Sequence, residues 1–177
     1  MVLCILYPTR SDASLAEPCC YLIQTRLMKL RPYQPSDFEA IIQLWWDSWH
    51  SSSGYAHHRP IADWKERWRD LEKTHEIVVM SGSDVDLIAA FAALNQQTCA
   101  LSQLFVSPGW KRQGIGTQIL QWAAQSCPAG FSLKTAADNR EAIAFYRNAG
   151  LIVTGHSIND FNGKQEVRFL STSTLAV

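Results

Sequence analysis

The stretch that decides the fold runs from residue 104 to residue 117. It reads Leu104-Phe105-Val106-Ser107-Pro108-Gly109-Trp110-Lys111-Arg112-Gln113-Gly114-Ile115-Gly116-Thr117. An apolar run typical of a strand enters a glycine-bearing loop, and the loop leads into a predicted helix. The first turn of a helix leaves its N–H groups without partners, and its dipole favours anions. Because no Ser, Thr or Asp stands before Gly114 to cap that helix, a phosphate is a suitable external acceptor.

The sequence on either side of this unit predicts a mixed α/β order. Strands are predicted at 29–32, 76–80, 87–94, 98–106, 131–135, 151–156 and 165–171. Helices are predicted from Ser36 to the break at 51–54, from near Pro60, at 114–126 and at 138–148, with Ser36 and Glu39 forming a capping box at the first start. Short connections between the three middle strands predict an antiparallel meander.

The overall composition is that of a globular protein. The chain has 177 residues, of which 47% are hydrophobic and 18% charged, and this length suits one domain with its own core. Sixteen basic residues balance sixteen acidic ones, which argues against a general nucleic-acid binder. No apolar run approaches the roughly 18 residues of a membrane span.

The neutral total hides an uneven distribution of charge. Residues 87–137 contain no Asp or Glu, whereas Lys111, Arg112 and Lys134 lie inside this tract. Such a tract is a plausible site for a polyanionic ligand. Chance combined with the burial of strands explains it equally well, so from charge alone both interpretations stay open.

The N-terminal part differs from the rest of the sequence. Residues 1–27 have no clear periodicity and include three of the five cysteines, Cys4, Cys19 and Cys20. We predict an N-terminal extension at 1–27, for which Met28 is an alternative start, a single folded domain at 28–172 and a tail at 173–177. The odd cysteine count fits reduced thiols in a cytoplasmic protein, and no cysteine or histidine spacing matches a metal site.

Several phosphate-binding motifs compete for the loop. A P-loop needs a Gly-Lys-Ser/Thr ending, and a dinucleotide site needs three spaced glycines, but only Gly114 and Gly116 are present. A DNA-binding helix-hairpin-helix also uses Gly-Ile-Gly. That motif is entered from a helix, whereas a β-rich segment precedes this one.

Two segments together resemble the GNAT family of N-acetyltransferases over about residues 28–170. Lys111-x-x-Gly114-x-Gly116 is similar to the family's pyrophosphate pattern, with Lys where Gln or Arg is usual. The segment 139–151 resembles the family pattern Asn-x-x-Ala-x-x-x-Tyr followed by Gly-Phe. Its matching residues are Asn139, Ala142, Tyr146 and Gly150, with Leu151 replacing Phe.

The resemblance implies the GNAT fold, an α/β (α+β type) mixed sheet flanked by helices. Strands 98–106 and 131–135 would be parallel and splay apart around acetyl-CoA. The implied contacts are the N–H of Leu104 to the thioester carbonyl, Leu104, Phe105 and Val106 along the pantetheine arm, and Asn139 in the pantetheine region. Further along, the pyrophosphate would meet Lys111, Arg112, Gln113, Gly114, Ile115, Gly116 and Thr117.

The resemblance also implies acetyl transfer to a primary amine by direct attack in a ternary complex. Tyr146 would lie near the sulfur and act as general acid. Family members often place Glu or His on the splayed strand, but Ala100 and Ser102 share the predicted face of Leu104 here. Neither is a strong base, so Ser102 is assigned at most a relay through water. Trp46, His50 and His57 lie in the region that usually shapes the acceptor pocket.

The function that follows is an acetyl-CoA-dependent enzyme acting on a small-molecule or peptide amine. It needs no metal, nucleic acid or membrane, and a monomer or homodimer is expected. The missing strand base keeps a second hypothesis open, a non-catalytic domain that binds acyl-CoA as a sensor or interaction module.

Overall fold

The computed structural model describes residues 28–52, 60–82, 87–159 and 163–172. The strands are β1 (Lys29–Pro32), β2 (Glu76–Ser81), β3 (Ile88–Asn95), β4 (Ala100–Val106), β5 (Ser132–Ala136), β6 (Ile152–Ile158) and β7 (Gln165–Leu170). The α-helices are α1 (Phe38–Ser52), α2 (Ile61–Thr74), α3 (Ile115–Ser126) and α4 (Arg140–Asn148). The predicted order of elements is confirmed. The predicted extension at 1–27 and tail at 173–177 lie outside the described residues.

The described strands form one mixed sheet in the order β1-β2-β3-β4-β5-β7-β6. β1 to β4 pair antiparallel in sequence order, which confirms the predicted meander. β4 and β5 are parallel, because α3 connects them in a crossover. β7 then inserts between β5 and β6.

Each face of the sheet has its own hydrophobic cluster. The α1–α2 cluster covers one face and includes Trp45, Trp64 and Trp68, which pack edge-on in a group. The α3–α4 cluster covers the other face and includes Ile119 and Tyr146. Residues 88–94 of β3 are all buried, because both faces of this strand are covered. These three tryptophans are therefore core residues.

The start of α1 is organised differently from the prediction. A short 3-10 turn, Pro35–Asp37, precedes the helix, and the Asp37 carboxylate accepts the Gln34 N–H at 2.8 Å. Asp37 is 2% exposed and also receives two hydrogen bonds from Arg31, at 2.7 and 2.8 Å. Burial opposes ionisation, but these bonds outweigh it and lower the pKa of Asp37. The capping box through Glu39 is wrong, since that carboxylate contacts Lys65 at 2.8 Å instead.

The cysteines also differ from the prediction. The structure joins Cys99 and Cys127 in a disulfide, with their Cα atoms 5.9 Å apart. The bond ties the residue before β4 to the end of α3. The expectation of reduced thiols is wrong for this pair, and Cys4, Cys19 and Cys20 lie outside the described residues. Reduced cysteines therefore no longer support the predicted cytoplasmic location, which stays a prediction.

Candidate active site

β4 and β5 pair only at their first residues. Ala100 is aligned with Ser132 and Leu101 with Leu133, and beyond these two positions the register ends although both strands continue. A gap therefore opens between the strands toward their carboxyl ends. The splayed parallel pair expected from the sequence is confirmed.

The direction of the backbone groups along the gap follows from the β3–β4 ladder. The Ser107 N–H donates to the Ala89 carbonyl at 2.8 Å, so this N–H points toward β3. Successive N–H groups of a strand alternate in direction. The N–H groups of Leu104 and Val106 consequently point away from β3 and into the gap.

A β-bulge interrupts β4 just before this point. Ala93 is aligned with Gln103 and Leu94 with Leu101, so Ser102 is an extra residue on β4. As a result Leu101 and Leu104 both pack against the α3–α4 cluster, three residues apart. Ser102 instead contacts His75 at the end of α2. The prediction that Ala100 and Ser102 share the face of Leu104 is wrong, because the bulge shifts the alternation by one residue.

The loop before α3 presents its backbone to the gap. Gly114 is the N-cap residue with φ +80°, and none of the described side chains caps the helix. Arg112 is also left-handed, with φ 64°. The first helical bond runs from the Gln118 N–H to the Gly114 carbonyl at 3.0 Å, which leaves the N–H groups of 115–117 outside the helical ladder. The uncapped helix start expected from the sequence is confirmed.

The side chains of this loop have structural partners. A Cβ added at Gly116 would lie 2.9 Å from Phe145 Cζ, so this glycine allows α3 and α4 to pack closely. Lys111 Nζ is 2.9 Å from a Glu141 carboxylate oxygen on α4. Gln113 donates to the Gly109 carbonyl at 3.1 Å, and Ile115 is buried in the core.

Tyr146 of α4 and Asn139, the N-cap residue just before this helix, complete this side of the gap. The Asn139 side chain caps the helix by accepting the Ala142 N–H at 3.1 Å. Tyr146 packs between Phe145 and Phe169, with ring centroids 5.3 and 5.4 Å away. Burial raises the pKa of Tyr146 to about 12, so its phenol stays protonated at physiological pH.

The gap is part of a cleft of about 1410 Å³. The predicted site residues that line it are Ser102, Leu104, Phe105, Val106, Lys111, Arg112, Gly114, Gly116, Thr117, Asn139 and Tyr146. Acidic residues also line the cleft, among them Asp138, Glu141 and Glu166. The acid-free tract 87–137 therefore does not make the cleft free of acids, because the segment that leads into α4, α4 itself and β7 contribute them from outside the tract.

The predicted acceptor-binding residues receive less support. Trp46 is partly buried against the α1–α2 cluster and does not line the cleft as described. His50 belongs to α1, but its side chain, like the whole of His57, lies outside the described residues. From this side the cleft is lined instead by Ser48, Arg67 and Leu71, and the Arg67 guanidinium lies 5.7 Å from the Trp45 ring centroid.

Sequence reasoning missed His75. Its Nε2 lies 2.8 Å from Ser102 Oγ, and its Nδ1 lies 2.8 Å from Thr74 Oγ1. Burial lowers the pKa of His75, opposed in part by a hydrogen bond to the Leu71 backbone. No local motif marks this histidine, because its contact with Ser102 spans 27 residues and depends on the bulge.

Comparisons with known proteins agree with this geometry. A model of the acetyltransferase (GNAT) family matches residues 38–151. The peptidyl-lysine N-acetyltransferase YjaB of Salmonella typhimurium is 25% identical over 138 residues, which cover 78% of this chain and 92% of that protein.

Solved structures share the fold at low identity. The apo form of YjaB from Escherichia coli superposes with a TM-score of 0.68 at 18% identity, over 83% of this chain and 99% of that one. The ribosomal-protein-S18-alanine N-acetyltransferase of Escherichia coli gives 0.62 at 17% identity, over 85% and 96%. A spermidine N-acetyltransferase SpeG chimera from Vibrio cholerae and hSSAT gives 0.64 at 15% identity, over 83% and 96%.

The described residues contain no group of three or more His, Cys, Asp or Glu placed to hold a metal ion. Within the same ranges, every helix is too short or too polar to cross a membrane.

Proposed function

The chain belongs to the GNAT family of acetyltransferases, and on this premise we propose that it transfers the acetyl group of acetyl-CoA to a primary amine by direct attack in a ternary complex. The observation that supports this most is the gap between β4 and β5, which opens beside the uncapped start of α3. A strand edge and a helix N-terminus meet there. The first suits an amide-containing arm and the second suits a phosphate.

The described residues fit the two ends of a CoA thioester. The N–H groups of 112–117 are proposed to bind the pyrophosphate, and the backbone of Val106 to pair with the pantetheine arm. Asn139 Oδ1 is engaged with Ala142, so its amide NH₂ is the group left for the pantetheine. Acetyl-CoA supplies the activated acetyl group, and the protein supplies position and charge stabilisation.

Leu104 is proposed to stabilise the thioester oxygen during attack. Its N–H points into the gap, where negative charge develops on that oxygen. One such donor is typically worth about 2.7–4 kcal/mol in the transition state. The donor belongs to the backbone of a strand that is held by β3 on its other edge, so it is fixed before substrate arrives.

Tyr146 is proposed to protonate the departing sulfur. Its side chain lines the cleft from α4, and the pKa of about 12 keeps the proton on the phenol until sulfur becomes basic. A thiol has a pKa of about 8.5 in water, so the buried phenol is a weak acid for this step. We therefore expect its hydrogen bond to the developing thiolate to contribute before full transfer occurs.

The acceptor class is proposed from the relatives. Their names give a peptidyl lysine, spermidine and an alanine of a ribosomal protein as acceptors, and each of these offers an amino group. We propose a primary amine of a small molecule or peptide for this chain. It would approach from the α1–α2 side, where Arg67 and Ser48 line the cleft.

Release of free CoA thiol from acetyl-CoA tests the proposal. Spermidine, a peptide with one lysine and a peptide with an N-terminal alanine serve as acceptors, and reactions without amine correct for hydrolysis. We expect saturable thiol release with at least one acceptor, and the acetylated amine in equal amount by mass spectrometry. Binding of acetyl-CoA without thiol release would favour the non-catalytic acyl-CoA-binding domain instead.

A further inference from the structure

A series of three hydrogen-bonded residues, Thr74, His75 and Ser102, runs from the end of α2 to the lining of the cleft. Thr74 Oγ1 contacts His75 Nδ1 at 2.8 Å, and His75 Nε2 contacts Ser102 Oγ at 2.8 Å. Ser102 lines the cleft, whereas His75 lies behind it. These hydrogen bonds therefore join the proposed site of acetyl transfer to the imidazole of His75, a titratable group outside the cleft.

The relay requires the hydrogen of neutral His75 to be on Nδ1. This tautomer is compatible with the hydrogen bond that the Thr74 hydroxyl donates to the Asp70 carbonyl at 3.3 Å. A hydroxyl has one hydrogen, so in this arrangement the same oxygen accepts from His75 Nδ1. In a neutral imidazole Nε2 is then unprotonated, and it accepts the hydroxyl hydrogen of Ser102.

The surroundings of His75 keep its ring neutral. The charged side chains nearest in sequence are engaged elsewhere: Glu72 accepts from Tyr33, Lys73 contacts Asp70, and Glu76 accepts from Gln96. From β4 the ring meets the neutral Ser102. Burial lowers the pKa of His75 below its ordinary value, and the opposing hydrogen bond to Leu71 is the smaller influence. A neutral imidazole can accept a proton at physiological pH.

The bulge places Ser102 within reach of the reaction. Ser102 precedes Leu104 by two residues, which corresponds to roughly 7 Å along a strand. An amine that attacks the carbonyl held at Leu104 would occupy the space between these two positions. The bulge is essential, because without it the alternation of β4 would turn Ser102 toward the α3–α4 cluster together with Leu104.

On the basis of the proposed acetyl transfer, we propose that Ser102 and His75 remove the proton of the acceptor amine. Ser102 Oγ takes a proton from the acceptor ammonium while its own hydroxyl proton moves to His75 Nε2. The amine lone pair then forms the C–N bond, and the C–S bond breaks with its electron pair on sulfur. The sulfur takes the phenol proton of Tyr146, and the second amine proton restores the phenol. The imidazolium returns its proton to solvent, so ammonium and acetyl-CoA give amide, CoA thiol and one proton.

In this scheme Ser102 is the catalytic residue and His75 the positioning residue that makes it basic. It explains how a cleft with no carboxylate on β4 can still deprotonate an amine. A serine hydroxyl alone is not a base near neutral pH, whereas a serine hydrogen-bonded to a neutral histidine passes a proton readily.

The kinetic test compares His75→Gln with His156→Gln, the same change at an exposed position of β6 that does not line the cleft. The acceptor is whichever of spermidine, the lysine peptide and the alanine peptide the wild type acetylates fastest. General acid–base catalysis typically contributes 10²–10⁴-fold. We expect kcat of His75→Gln to fall about 100-fold at pH 7.5 with an unchanged KM for acetyl-CoA, and His156→Gln to match the wild type.

The pH profile separates a proton relay from a structural role. The wild-type kcat should be level at and above pH 7.5, because a pKa below the ordinary value leaves His75 neutral there, and should fall at lower pH as the ring protonates. In His75→Gln the kcat should keep rising with pH up to pH 9. Imidazole added to His75→Ala should restore part of the rate. A His75→Gln profile parallel to the wild type, without rescue, would overturn the proposal.

A measurement on the unaltered chain avoids any folding defect of the variants. Nitrogen-15 NMR of the full chain should show His75 with the hydrogen on Nδ1 and a bare Nε2 at pH 7.5. A hydrogen on Nε2 would overturn the relay, since that nitrogen could not accept from Ser102. Failure of the proposed acetyl transfer would give a different result, because the wild type itself would then bind acetyl-CoA and acetylate none of the three amines. That result would overturn the relay as well.

Discussion

The two walls of the cleft present different chemistry. The CoA wall, formed by β4, the loop 107–114 and the start of α3, presents backbone N–H groups directed by a strand register, a left-handed glycine and an uncapped helix. The acceptor wall, formed by α1, α2, His75 and the bulged residue Ser102 at the start of β4, presents side chains such as Ser48 and Arg67 together with the His75–Ser102 pair. One wall depends on conformation and the other on residue identity.

The two walls should therefore differ in which amino-acid substitutions impair their function. On the CoA wall, a substitution should matter when it removes an N–H or strains the backbone, and matter little when it alters only a side chain. On the acceptor wall the opposite holds, because each polar group is a side chain. The following predictions test this division, from the largest expected effect to the smallest.

The largest effect is expected from Leu104→Pro. Proline removes the N–H that points into the gap and spares the β3 ladder. The Ser107 N–H bonds to β3, and by alternation the Phe105 N–H has the same direction, whereas that of Leu104 does not. Loss of one donor of this kind lowers kcat about 10²–10³-fold. Leu104→Val keeps the N–H and serves as the control, with kcat near the wild type. Equal turnover in both variants would exclude the N–H from the reaction.

The second-largest effect is expected from Tyr146→Phe, which should lower kcat about 10²-fold. Binding of acetyl-CoA, measured by calorimetry, should stay nearly unchanged, because the ring packing against Phe145 and Phe169 is preserved. With a pKa of about 12 the phenol should cause no loss of kcat between pH 8 and pH 10. Tyr33→Phe removes a hydroxyl that bonds Glu72 away from the cleft and is the matched control. Unchanged kcat in Tyr146→Phe would remove this residue from the acid role.

Gly114→Ala should weaken acetyl-CoA binding. A non-glycine residue at φ +80° is strained by about 1–2 kcal/mol, and moving the loop to relieve it displaces the N–H groups. Binding should weaken by about 5- to 30-fold, as measured by calorimetry. Gly163→Ala applies the same strain at φ +70° outside the cleft and should leave affinity unchanged. Equal affinity for both variants would contradict backbone recognition at the loop.

The smallest effect is expected from Lys111→Ala. Lys111 is engaged with Glu141 at 2.9 Å, and exposed ion pairs are worth about 0–1 kcal/mol. Acetyl-CoA affinity should change less than about fivefold if the backbone binds the pyrophosphate. Lys73→Ala, which breaks a similar pair with Asp70, is the control. A loss above tenfold at Lys111 alone would move recognition from the backbone to this side chain.

The conformation of the wall that is proposed to bind CoA could be predicted from sequence because its determinants are local. The glycines at 114 and 116, the missing cap and the spacing to Asn139 and Tyr146 lie within one crossover unit. The structure shows a second reason for one of these glycines. Gly116 leaves room for the Phe145 ring, so this part of the motif also serves the packing of α3 against α4.

The acceptor wall could not be anticipated, because its determinants are long-range. One extra residue at Ser102 shifts the alternation of β4, and sequence periodicity gives no sign of it. His75 reaches Ser102 across 27 residues, and Cys99 reaches Cys127 across 28. The buried Asp37 carboxylate likewise has its ion-pair partner, Arg31, on a different element, β1. Such contacts form only when separate elements meet.

The central claim is that acetyl-CoA binds in the gap between β4 and β5 through backbone N–H groups. Amide chemical shifts of the nitrogen-15-labelled chain, followed during titration with acetyl-CoA, test it most directly. We predict that the largest shifts fall on Leu104, Val106 and residues 112–117, while the amides of α2 before His75 change little. Saturable shifts confined to other parts of the sheet, with those amides unmoved, would contradict the claim.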